Sequence, residues 1–97
     1  MAAAKAVKLS ERDLTRIGRA LAEPRRVQIL KQIGACQGEL ACRLILEKQD
    51  IAPATLSHHL KELEAAGLID TARDGKFVNV SVKRDVLRAY LAHLSEI

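Results

Sequence analysis

Aromatic side chains are nearly absent from this chain: one phenylalanine, one tyrosine and no tryptophan in 97 residues. Hydrophobic residues still make up 48% of it, so the core has to be aliphatic, and a mainly helical fold suits such a core. No apolar run is long enough to span a membrane. The stretch from Met1 to Lys8 lacks the apolar centre of a secretory signal, and residues 1–9 read as a flexible terminus. The protein is therefore expected in a reducing cytoplasm, where Cys36 and Cys42 imply no structural disulfide. Catalytic constellations are missing too. There is no Gly-x-Ser-x-Gly elbow, no phosphate-binding glycine loop and no paired-carboxylate cleft. Ser57, His58 and His59 are neighbours, but successive helical positions diverge by about 100°, so Ser57 and His58 cannot readily share a proton. An enzyme is not expected.

What is present is a modest cationic excess, 16 Lys and Arg against 12 Asp and Glu, a mild bias toward polyanions. The length fits one domain, residues 10–97, with no internal repeat. Within it, residues 53–66 read as a helix with two unlike faces. Pro53 suits the first helical position and Gly67 the position just past the end. Leu56, Leu60 and Leu63 fall on one stripe, and Ala54, His58, Lys61 and Ala65 point the other way. A helix anchored by leucines that presents small and polar residues can enter a DNA major groove.

Two short strands follow, Ile69 to Ala72 and Phe77 to Val82, with Arg73-Asp74-Gly75-Lys76 between them. Asp-Gly is a strong hairpin signal, because both central positions tolerate positive φ. Val78, Val80 and Val82 alternate with Asn79, Ser81 and Lys83, the period of a half-buried strand. The hairpin tip is expected to present Arg73 and Lys76 side by side to phosphate. Upstream, Ser10-Glu11-Arg12-Asp13 has the form of a helix cap. Pro24 opens a second helix that buries Val27, Ile29, Leu30 and Ile33 and ends at Gly34. A third starts near Ala41 or Cys42, and a fifth runs from Arg84 to Glu96.

Three segments resemble the ArsR/SmtB family of small bacterial winged-helix repressors. They are Leu21-Ala22-Glu23-Pro24-Arg25-Arg26-Val27-Gln28-Ile29-Leu30, Thr55-Leu56-Ser57-His58-His59-Leu60, and Ala66-Gly67-Leu68-Ile69 with the basic turn after it. The resemblance spans roughly residues 15–97 and implies a winged helix-turn-helix of five helices and a two-stranded wing. It also implies a homodimer joined through the first and fifth helices, with Leu14, Ile17, Leu21, Leu87, Tyr90, Leu91 and Leu94 in the interface. Such a dimer places two reading helices about 34–36 Å apart and demands an inverted-repeat operator on double-stranded DNA.

Pro53, Ala54, Thr55, Ser57, His58, Lys61, Arg73 and Lys76 are the candidate DNA contacts. His58 is the leading candidate for a base edge or phosphate, and Ala54 for a thymine methyl. His59, at the edge of the leucine stripe, is expected to be a packed or hydrogen-bonded residue. Asp50 stands where the family usually has glycine, and it tolerates a left-handed conformation.

The family's metal sites are incomplete. Ala41 and Arg43 occupy the positions of the arsenic-binding cysteines, and Cys42 falls between them, where it reads as a small core hydrophobe. His93 and Glu96 match only half of a zinc pattern, and zinc wants four good ligands. No metal and no cofactor are expected. Thiol-redox or reactive-sulfur sensing through Cys36 and Cys42 is the effector alternative, with Arg43 as a candidate activating charge. A winged-helix module for protein–protein contact is the functional alternative, and it would bind without the steep salt dependence of phosphate contacts.

Overall fold

The computed structural model describes residues 7–97. Residues 1–6 of the expected flexible terminus lie outside the described residues. The elements run α1 (Glu11–Leu21), α2 (Pro24–Ala35), β1 (Leu40–Ala41), α3 (Cys42–Gln49), α4 (Pro53–Ala65), β2 (Ile69–Asp74), β3 (Phe77–Val82) and α5 (Arg84–Leu94).

Helix starts follow local chemistry. Ser10 and Asp13 form a reciprocal capping box at α1, the Ser10 hydroxyl accepting from the Asp13 amide and the Asp13 carboxylate from the Ser10 amide. These hydrogen bonds hold the Asp13 carboxyl below its ordinary pKa. Pro24 and Pro53 sit in the first turns of α2 and α4. Asp50, at φ 52°, turns the chain sharply between α3 and α4.

Four details depart from the sequence reading. The sheet has three strands, ordered β1-β3-β2, because Leu40 and Ala41 pair with Val80 and Asn79 and cover the far edge of β3. The α2 helix runs through Gly34 to Ala35, since Arg84 donates to the Gly34 carbonyl at 2.7 Å and satisfies the helix end. Val27 is half-buried rather than buried. The hairpin loop is Gly75-Lys76, closed by the Asp74–Phe77 pair, with positive φ (62°) at Gly75 and not at Asp74 or Lys76. That pattern fits a two-residue turn with glycine at its first central position, and it lengthens β2 to take in Arg73.

One core joins the layers. Ile17 of α1, Ile29 and Ile33 of α2, Ile45 of α3, Leu63 of α4, and Leu68, Ile69 and Val80 at the sheet are fully buried. It is aliphatic throughout, as the lack of aromatics requires. A ladder of amides ties α2 to α3. Arg25 donates to the Gln49 carbonyl at 2.9 Å, Gln49 to Gln32 at 2.9 Å, and Gln32 to the Leu44 carbonyl at 3.1 Å. The α3 helix is thereby held on α2 by hydrogen bonds as well as by packing.

Candidate nucleic-acid interface

The fourth helix is held on its inner side and open on its outer one. Leu56 and Leu63 are buried and Leu60 is half-buried. Ala54, Thr55, Ser57, His58, Lys61 and Ala65 are exposed, with no large apolar group among them. Ala52, the residue before the helix, offers no side-chain cap, and its carbonyl accepts from Leu56. The Ala54 and Thr55 amides are first-turn donors that no intrahelical carbonyl satisfies, and a phosphate oxygen complements such donors.

The two histidines divide as their helical positions predict. His59 is buried, and its Nδ1 accepts from Arg26 Nε at 3.2 Å. Burial, then the Arg26 charge, lowers its pKa and keeps the ring neutral. His58 is exposed, with Nε2 at 3.4 Å from Arg26 Nη2. The Arg26 guanidinium thus reaches both imidazoles of α4. Arg26 is the positioning residue that sequence reasoning missed. Its signal was present in the Glu23-Pro24-Arg25-Arg26 run, but only the fold brings α2 against α4. Arg16 adds a second tie, donating to the Ala65 carbonyl at the far end of α4 at 3.4 Å.

The wing is arranged differently from expectation. Lys76 lies in the exposed turn, but Arg73 is a β2 residue paired with Val78, so the two are not side by side at the tip. Strand alternation puts Thr71, Arg73 and Val78 on one face, and all three line a cavity shared with α3 and α4. The basic groups therefore form a band, Lys61 on the helix, Arg73 beside it and Lys76 beyond.

Both thiols are free and face different surroundings. Cys36 lines a cleft with Gly38, Ser81 and Arg84. Cys42 lines the cavity beside Leu46 and Arg73 and packs against the core. Burial pushes its thiol pKa up, and the nearby charge that opposes this is Arg73, not Arg43. Arg43 pairs instead with Glu47 at 3.9 Å on the surface. Among the described residues no cluster of three or more His, Cys, Asp or Glu is placed to hold a metal. None of the described helices is long and apolar enough to cross a membrane.

Of the residues expected at a dimer interface, Ile17 is fully buried in its own protomer and is core. The domain itself takes up the middle of the α1 stripe and leaves its two ends half-covered. Leu14, Leu21, Leu87 and Tyr90 are half-buried, and Leu91 and Leu94 are exposed.

A helix-turn-helix built from α3 and α4, followed by a hairpin that exposes Arg73 and Lys76, is the winged helix-turn-helix of DNA-binding regulators. Residues 23–71 match the model of the bacterial regulatory protein arsR family. The chain is 35% identical to the uncharacterised HTH-type transcriptional regulator YceK of Bacillus subtilis, over 77% of its own length and 75% of that protein's. It is 34% identical to an arsenical resistance operon repressor of Staphylococcus xylosus, over 69% of this chain and 62% of that one. Among solved structures it superposes, at a TM-score of 0.70 and 29% identity, on a homodimeric winged helix-turn-helix DNA-binding domain from Mycobacterium bovis. That domain is described as a possible ArsR-family regulator, and the match covers 92% of this chain and 87% of that one. The protein belongs to the ArsR family of transcriptional regulators, and its relatives are regulators rather than enzymes.

Proposed function

We propose that the protein is a homodimeric, sequence-specific transcriptional repressor of an inverted-repeat operator. Residues 53–66 lie in the major groove, and the wing, residues 69–82, rests on the backbone or in the minor groove. The observation that carries this reading is the exposed small-and-polar face of α4, with an uncapped N-terminus and Lys61, Arg73 and Lys76 alongside. Pro53 and Ala54 approach the duplex at the helix start. Thr55, Ser57 and His58 supply hydroxyl and imidazole donors, and the three cations meet phosphates. Leu91 and Leu94, 55% and 42% exposed on α5, supply an apolar surface for a second copy, flanked by Leu14, Leu21, Leu87 and Tyr90. The homodimeric Mycobacterium bovis domain and the Staphylococcus xylosus repressor support dimer and repression respectively.

The test is fluorescence anisotropy of the reduced, metal-free protein on DNA from upstream of its own gene and on random DNA of equal length. Binding that prefers the first DNA and weakens steeply with salt is expected, because each neutralised phosphate releases counterion. Failure to bind either DNA at low salt would overturn the reading in favour of a protein-contact module.

A further inference from the structure

A cavity of about 310 Å³ lies between α3, α4 and the wing, directly beside the outward face of α4. Its floor is apolar, made of Leu46 from α3, the buried Leu56 and half-buried Leu60 from α4, and Val78 from β3. Exposed Lys61 and Arg73 stand at the rim. The ion pair among the described residues is Arg43–Glu47, so neither rim cation has a carboxylate partner there. One acid, Glu64, shares the wall with Arg43, Lys61 and Arg73, and cations prevail.

We propose that this cavity binds a small amphipathic carboxylate. Its hydrocarbon body covers the aliphatic floor and its carboxylate sits between Lys61 and Arg73. A DNA phosphate satisfies the same two cations but leaves the floor bare, whereas ligand sites of this size combine an apolar lining with a few convergent polar groups. Ser57 and Lys61 belong both to the cavity and to the proposed DNA face, so ligand and operator compete for them. The competition rests on the proposed function; the binding site does not.

Titration of the DNA-free 97-residue chain with octanoate, and with octanol as the uncharged control, decides the site. Amide NMR shifts report location, and the rate of iodoacetamide labelling reports occupancy. Cys42 lines this cavity, and Cys36, in a separate cleft, is the internal reference. Octanoate is expected to saturate with shifts centred on Cys42, Leu60 and Val78 and to slow labelling of Cys42 but not of Cys36. Octanol is expected to bind at least about tenfold more weakly, because it loses the charge-assisted contacts to both Lys61 and Arg73. Arg73→Gln, at an exposed position that leaves the core intact, is expected to weaken octanoate and leave octanol unchanged. Absence of saturation, equal protection of both thiols, or equal binding of octanoate and octanol would overturn the site. On operator DNA, octanoate at about ten times its own Kd is expected to raise the apparent DNA Kd about elevenfold if binding is exclusive. Unchanged DNA affinity under octanoate saturation would overturn the competition. Saturable octanoate binding by a protein that binds no DNA would sink the proposed function and leave the site standing.

Discussion

The helices α4 and α5 are both amphipathic, yet the domain treats them differently. It absorbs the leucine stripe of α4, whereas on α5 it buries Val86, half-covers Leu87 and Tyr90 and leaves Leu91 and Leu94 exposed. The α4 helix is fixed along its length by the core, by Arg26 on His59 and by Arg16 on its last turn. The α5 helix is tied by hydrogen bonds at its start, where the Lys83 amide donates to the Leu68 carbonyl at 2.8 Å and Arg84 to the Gly34 carbonyl, and Leu87 and Tyr90 rest against the core. Its later turns carry exposed Leu91 and Leu94. A rigid helix with a polar outer face suits a hydrated polyanion, and a helix with a bare aliphatic face suits another aliphatic surface. One domain thus displays two surfaces of opposite chemistry.

The largest effect that separates the two helices is on folding. Leu63→Ala removes a fully buried side chain from α4 and is expected to cost about 2–5 kcal/mol in urea unfolding. The double change Leu91→Asp with Leu94→Asp is expected to leave the helical circular dichroism in place while abolishing self-association in sedimentation. If the double variant unfolded, or remained a dimer, the contrast between the helices would break.

The division between these faces was legible in the sequence because helical periodicity is a local property. The spacing of Leu56, Leu60 and Leu63 placed His59 inward and His58 outward, and Pro24, Pro53 and Ser10 marked starts that the structure keeps. What was not legible depends on contacts between distant segments. Nothing near Leu40 announces that it pairs with Val80, since a two-residue strand has no period to read. Gly34 read as a stop because the Arg84 that caps α2 lies fifty residues away. An Asp-Gly turn puts Arg73 at the wing tip; the loop falls one residue later, so Arg73 is a strand residue lining a cavity. The resemblance implies an interface role for Ile17, whereas the protomer alone buries it completely.

On the outer face of α4, His58→Ala is expected to reduce discrimination between operator and random DNA by about 1–3 kcal/mol, the range of a base contact. Lys76→Ala should weaken both DNAs alike and flatten the logarithmic salt slope by about one. Anisotropy across a salt series separates the two. Equal losses on both DNAs for His58→Ala would place His58 on phosphate rather than on a base edge.

The smallest expected effect sharpens the comparison inside α4 itself. His59 faces Arg26 and Arg25 of α2, with Glu23 and His58 nearby, and burial is the main cause of its lowered pKa. In the unfolded chain the ring titrates near its ordinary value of about 6.5. As pH falls through that value, the unfolded state takes up a proton that the folded state resists. Stability is therefore full above the ordinary histidine range, declines as pH drops through it, and levels off below the depressed native pKa. Melting temperatures from pH 7.5 down to about 5 are expected to show this decline in the native protein. His59→Asn does not titrate, and its side-chain oxygen can accept from Arg26, so this variant is expected to lose the part of the slope due to His59. His58→Asn, at the exposed neighbouring position, should keep it. A slope that vanished with His58→Asn instead would mean that the titrating group faces the DNA rather than the core, and pH would then act on recognition rather than on folding.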